Sequence, residues 1–178
     1  MPFISFYTPT YKRPIGLARC LASVAMQSAA ADIEQIVIPD HLGIGIGGMY
    51  ARLPQYIDAV HGDYVHVLAD DDELSHPDVV AIVKDFAEAN NRPPLILVGV
   101  QKGALVLSEP WWPPVEGTID LGCLIVRADV WKAHCHDWGK RYEGDYDFAA
   151  ALHRAGHEGA RCPVMFLRGG QSHGAPEV

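Results

Sequence analysis

The chain has 178 residues, a net charge of −8, 49% hydrophobic and 20% charged residues, which suits one globular unit with one core. The negative balance disfavours sequence-independent binding to a polyanion, since nucleic-acid binders gain affinity by neutralising phosphates. No run approaches the roughly 18 apolar residues of a membrane span, and MPFISFYTPTYKRP places its basic pair after its apolar residues, unlike a signal peptide, so the expected location is the cytoplasm.

In chain order, Phe3 to Thr8 reads as a strand ending at Pro9, and Pro14 opens a helix carrying Leu17, Leu21 and Val24 at helical spacing. Ile36 to Ile38 is a second strand closed by Pro39-Asp40. A glycine-rich loop, Gly43 to Gly48, precedes a helix expected from Met49 to about Val60. Tyr64 to Leu68 is a third strand running into Asp70-Asp71-Asp72, and Pro77 opens a helix with Val79, Val83 and Phe86 on one face. Leu95 to Val100 and Ala104 to Leu107 form strands joined through Lys102-Gly103. Leu121 to Val126 is a further strand, followed by a short helix around Val130 to His134. Phe148, Leu152 and Ala155 mark a helix ending near Gly156, and Val164 to Leu167 is the last strand. Strand and helix alternate through the first half, which predicts an α/β fold whose ligands bind beyond the carboxyl ends of the strands. Asp40 and the aspartate triplet both fall there.

Three consecutive carboxylates after an apolar strand raise one another's proton affinity unless a cation relieves them. A hard divalent ion such as Mg²⁺ or Mn²⁺ prefers such oxygens and bridges one or two carboxylates to substrate phosphates. The alternative is a solvated turn before the helix at Pro77. The four cysteines, Cys20, Cys123, Cys135 and Cys162, show no CxxC spacing, which argues against a zinc ribbon and a disulfide framework. Gly43, Gly45 and Gly48 match the dinucleotide pattern GxGxxG, but four residues separate them from the strand and the unit is second in the chain. His134 and His136 with Cys135 have an i, i+2 spacing that fits a helix face poorly as a metal site.

The stretch GDYVHVLADDDELSHPD resembles the DxD region of family 2 glycosyltransferases of the GT-A type. ISFYTPTYKRPIGLARCLASVAMQ resembles that family's first strand, Pro-Thr-Tyr turn and first helix. IEQIVIPD resembles its second strand, and YEGDYDFAAALHRAG its acidic acceptor-side motif. These pieces cover about residues 3–80 and 118–173 in order. Two positions depart from the pattern: Ala69 stands where the family usually has aspartate, and Gly144-Asp145 where it often has Glu-Asp.

The resemblance implies a single GT-A-like (Rossmann-like) domain over 1–178, a mostly parallel mixed sheet flanked by helices. Its nucleotide-sugar half would span about 1–100 and its acceptor half about 101–178. It implies a transferase that moves a sugar from a nucleotide-sugar donor, UDP-linked by preference, to an acceptor hydroxyl with Mn²⁺ or Mg²⁺ and inversion at the anomeric carbon. The acceptor class stays open: a glycan, a lipid-linked sugar, a small molecule or a hydroxylated DNA base. Thr8, Pro9 and Thr10 would line the nucleobase pocket, Asp40 would bond the base, and Arg52 would reach the diphosphate or remain a surface arginine. Asp70 and Asp71 would contact the donor, Asp72 and Asp70 the metal, and His173 would be a further metal ligand. Asp145 is expected to be the general base, the alternative being a helix N-cap. Trp111 and Trp112 would offer a stacking platform to an acceptor sugar or else tuck into the core edge. A nucleotidyltransferase and a non-catalytic nucleotide- or sugar-binding module are the competing functions.

Overall fold

The computed structural model describes residues 1–107, 110 and 112–169. Its strands are β1 (Ile4–Thr10), β2 (Ile33–Pro39), β3 (Tyr64–Val67), β4 (Asp72–Leu74), β5 (Leu95–Lys102), β6 (Leu105–Leu107), β7 (Leu124–Arg127) and β8 (Gly159–Gly169). They form an eight-stranded sheet in the order β2-β1-β3-β7-β5-β8-β4, with β6 hydrogen-bonded to β5. β1 pairs in parallel with both β2 and β3, and β5 with β8, while β7, β4 and β6 run the other way. The sheet is therefore mixed and mostly parallel by strand direction.

Helices cover both faces. The helices α1 (Pro14–Ala25) and α3 (Val79–Ala89) pack on one side, where Phe6, Cys20, Val24, Val80, Val83, Ile96 and Phe166 form a buried cluster. On the other side lie α2 (Gly45–Tyr50), α4 (Ala128–His134) and α5 (Gly144–Arg154), around Tyr7, Tyr50, Leu97, Trp131, Trp138 and Phe148. Burial on both faces explains why the central strands read as continuous apolar runs. Aromatic rings knit the second cluster across elements. Trp138 stacks on Phe148 at 4.2 Å and 9° and on Tyr50 at 4.8 Å and 25°, while Trp131 meets the edges of Phe148 and Tyr7. Emptying such a site, as in Phe148→Ala, costs about 3–5 kcal/mol.

Some elements differ from expectation. The buried face of α1 is Gly16, Cys20, Ser23 and Val24, whereas Leu21 is exposed. The helix expected from Met49 to Val60 starts earlier, at Gly45, and stops at Tyr50; a 3₁₀ segment, Leu53–Ala59, follows, with Pro54 at its start. Proline suits the first turn of a helix but cannot sit inside a continuous one. Leu121–Cys123 is a 3₁₀ turn before β7, and β8 is longer than the run Val164 to Leu167.

Candidate active site

The carboxyl ends of β2, β1 and β3 lie side by side, with β1 in the middle, and they deliver Asp40, the Thr10–Arg13 turn and the aspartate triplet to one edge. Asp40 follows β2 and its backbone N–H bonds to Thr10 O at 2.8 Å. Its Oδ1 accepts from Leu42 N and Gly43 N at 2.9 and 3.0 Å, and its Oδ2 from Ile44 N at 2.8 Å. Burial works to raise this carboxyl's pKa, but the three N–H groups and the Arg52 charge outweigh it, and the net direction is down. The ring of Tyr11 lies so close to Gly43 that a Cβ there would meet it at 2.7 Å, and Gly43 has φ of 68°. Only glycine suits that position.

Pro14 opens α1 and Arg13, the residue before it, makes no side-chain cap. Its guanidinium instead reaches Asp70 Oδ1 at 2.8 Å and Asp71 Oδ2 at 3.3 Å. Asp70 also accepts from the Thr10 hydroxyl and, at 3.4 Å, from Tyr11 N. Burial nevertheless holds its pKa above the usual value, with Asp71 adding to the rise. Thr8 is buried, and its Oγ1 accepts from Gln35 at 2.9 Å. Arg52 leads the 3₁₀ segment after α2, where Nη2 contacts Tyr56 OH at 3.4 Å.

Asp72 differs from its two neighbours. It opens β4, opposite Gly169 of β8, and is 2% exposed. A Cβ on Gly169 would meet Asp72 Oδ1 at 2.3 Å, so glycine is what allows the two strands this approach. The Lys102 ammonium, at the end of β5, sits 3.1 Å from Asp72 Oδ2 and 3.0 Å from Asp120 Oδ1. Asp120 in turn accepts from Gly122 N at 2.8 Å, capping the 3₁₀ turn. Burial pushes the Asp72 carboxyl up to about 6 against the pull of Lys102. Burial would discharge Lys102, but the two carboxylates win and its pKa rises.

Asp145 stands in the first turn of α5, whose N-cap residue is Glu143, so the sequence alternative of Asp145 as the N-cap does not apply. Its Oδ1 accepts from Tyr146 N at 2.8 Å. Burial pushes it up to about 6; the Tyr146 N–H opposes this, the Asp120 charge adds to it, and Lys102 lowers it. Asp145 thus shares the field of the Lys102–Asp120–Asp72 cluster. The segment carrying it is joined to α2 by close contact: a Cβ on Gly47 would meet Lys140 O at 2.1 Å.

One expected site residue, Trp112, is not brought here. Trp112 packs edge-on to His153 at 5.7 Å and against Gly159, at the opposite end of β8 from Gly169. That places it in the core edge rather than on a platform beside the aspartates. Trp111 and His173 lie outside the described residues. Conversely, Arg13, Lys102 and Asp120 belong to the site without having been singled out. Arg13 had a signal, a basic residue just ahead of the helix-opening proline.

No family model matches the chain, and no curated protein matches it. Solved structures do. S. aureus TarS superposes with a TM-score of 0.68 at 15% identity, over 97% of this chain and 37% of that one. The mannosyltransferase PcManGT from Pyrobaculum calidifontis, in complex with GDP-Man and Mn²⁺, gives 0.67 at 13% identity, over 94% of this chain and 56% of that one. The chain has the fold of these two structures. TarS 1–349 in complex with UDP-GlcNAc gives 0.63 at 13% identity, over 94% of this chain and 58% of its own. The chain therefore spans between a third and two thirds of the length of these structures.

Proposed function

We propose that the chain transfers a sugar from a nucleotide-sugar donor to an acceptor hydroxyl, with strands β1 to β3 holding the nucleotide and α5 supplying the base. One observation carries this reading: Asp145, a half-buried carboxyl in the first turn of α5, lies within the field of the Lys102–Asp120 pair and is pushed up to about 6. The fold shared with a mannosyltransferase that binds GDP-Man supports it.

On its own chemistry the carboxylate set suits Mn²⁺ or Mg²⁺. Asp70 and Asp71 pair with Arg13, and Asp72 and Asp120 with Lys102, so this edge gathers the hard oxygen atoms that such ions prefer. Among the described residues no three metal-type ligands converge, so the protein would offer one or two carboxylates, the usual share for Mg²⁺ beside substrate phosphates. Asp71 with Asp70 fits that role. Asp72, the expected ligand, has one oxygen on Lys102, while the other is buried with no hydrogen-bond partner among the described residues, an orphan that a cation would satisfy. When bound, the ion would stabilise charge on the departing diphosphate.

In this reading the Thr8–Thr10 backbone borders the base, and Asp40 Oδ2, which takes one N–H, keeps a lone pair for a base N–H. Arg52 approaches the diphosphate. Asp145 takes the proton of the acceptor hydroxyl as its oxygen bonds the anomeric carbon. The bond from that carbon to the diphosphate oxygen breaks, and its electron pair leaves with the nucleotide. One such displacement inverts the anomeric centre. Calorimetric titration of UDP and GDP with Mn²⁺ should show binding that is lost in EDTA; equal affinity in EDTA would remove the metal. A donor screen that finds binding but no transfer to any acceptor would favour a binding module instead.

A further inference from the structure

A second cluster lies away from these carboxylates, at the end of α5 opposite Asp145, on the order of 15 Å along the helix at 1.5 Å per residue. The last residue of α4 is His134, and the turn after α5 carries His157. Their Nε2 atoms face each other at 3.4 Å, with ring centroids 5.2 Å apart and planes at 83°. The Nδ1 of His134 is 2.8 Å from Asp137 Oδ2.

A separation of 3.4 Å is long for a hydrogen bond, whose donor and acceptor prefer roughly 2.7–3.2 Å. It suits two ligands of one tetrahedral ion, because Zn–N bonds of about 2.0–2.1 Å at the tetrahedral angle put two nitrogens about 3.3–3.4 Å apart. Asp137 adds an independent element. A carboxylate on Nδ1 fixes the N–H there and leaves the Nε2 lone pair directed away from it, as in carboxylate–histidine–zinc arrangements. Asp129 acts on His157, but its carboxylate is engaged by Arg127 at 2.7 and 3.0 Å.

We propose that His134 and His157 form a binding site for a late first-row divalent ion, with Zn²⁺ as its type, oriented by Asp137 and completed by water. Imidazole is a donor suited to zinc, nickel and copper, whereas the carboxylate edge of the sheet suits magnesium and manganese. The two sites select different ions, and this one does not depend on sugar transfer. Among the described residues no third protein ligand joins the pair, so the affinity is that of an open, exchangeable site.

The test titrates ZnCl₂ into the whole protein by calorimetry with excess Mg²⁺ occupying the carboxylates. One saturable event is expected, weakened at least tenfold in His134→Ala and in His157→Gln, and on the order of tenfold in Asp137→Asn. Long-range ¹H–¹⁵N spectra of the imidazoles read the same site in the unaltered protein. Zinc should move the Nε2 resonances of both histidines together. Zinc affinity unchanged in both histidine variants, or Nε2 resonances that stay in place at saturating zinc, would overturn the proposal.

Discussion

Replacing Lys102 by methionine removes one positive charge from between two carboxylates while keeping most of the stem's volume. Asp72 is 2% exposed and cannot recover its hydration, whereas the Lys102 and Asp120 side chains are 21% and 20% exposed and regain some. Removing one partner of a buried pair costs about 3–5 kcal/mol, and the partial exposure places this case near 3 kcal/mol. For a chain of this size that is a fall in Tm of roughly 6–12 °C. Thermal unfolding followed by circular dichroism at pH 7.5 measures it. The sign with pH follows from Asp72: burial already pushes its carboxyl up to about 6, and loss of the ammonium raises it further. Below that value the folded variant binds a proton that the unfolded chain, with its carboxyl near 4, does not, so the deficit should shrink at pH 5. Asp72→Asn added to Lys102→Met should restore at least half of the loss. A single variant within about 1 kcal/mol of wild type, or a double variant no better than the single, would refute the reasoning.

Asp145→Asn is expected to lower kcat by at least about a hundredfold, the scale of general-base catalysis, while leaving donor affinity within twofold in a calorimetric titration. In the wild type, kcat/KM should be level above about pH 6 and fall tenfold per unit below it, as the carboxyl pushed up to about 6 takes its proton and ceases to be a base; a flat profile from pH 5 to 7 would exclude it. Gly47→Ala places a methyl 2.1 Å from Lys140 O and must push α2 from the segment leading to α5; a loss of about 1–3 kcal/mol in urea unfolding is expected. Arg13→Ala, which removes a positive charge competing with a cation for Asp70 and Asp71, should tighten the binding of Mn²⁺ alone by calorimetry; equal or weaker affinity would show that these carboxylates do not hold the ion.

Much of the fold was legible because the central strands are buried on both faces and so announce themselves as apolar runs, and because Pro14 marks the start of α1. That Asp40 and the triplet come to one edge was legible from position alone, since each follows a parallel strand. The division of labour inside the triplet was not. Nothing local distinguishes Asp72 from Asp71; the difference is that β4 pairs with β8, some ninety residues on, and that Lys102 arrives from the β5–β6 hairpin. Lys102 reads locally only as half of a Lys-Gly turn. For Trp112 the sequence left two places open, a platform and the core edge, because nothing between its flanking prolines decides; the tertiary fold turns it onto His153 and Gly159.

The stack of Tyr50, Trp138 and Phe148 spans α2 and α5, the two elements that in the proposed reaction face donor and acceptor. Trp138 Nε1 is buried with no hydrogen-bond partner among the described residues, so any parting of these elements would open that nitrogen to water. Emission should then shift to longer wavelength before any helix is lost. The protein thus carries a native optical gauge of whether these two flanks move together or apart when a ligand is added.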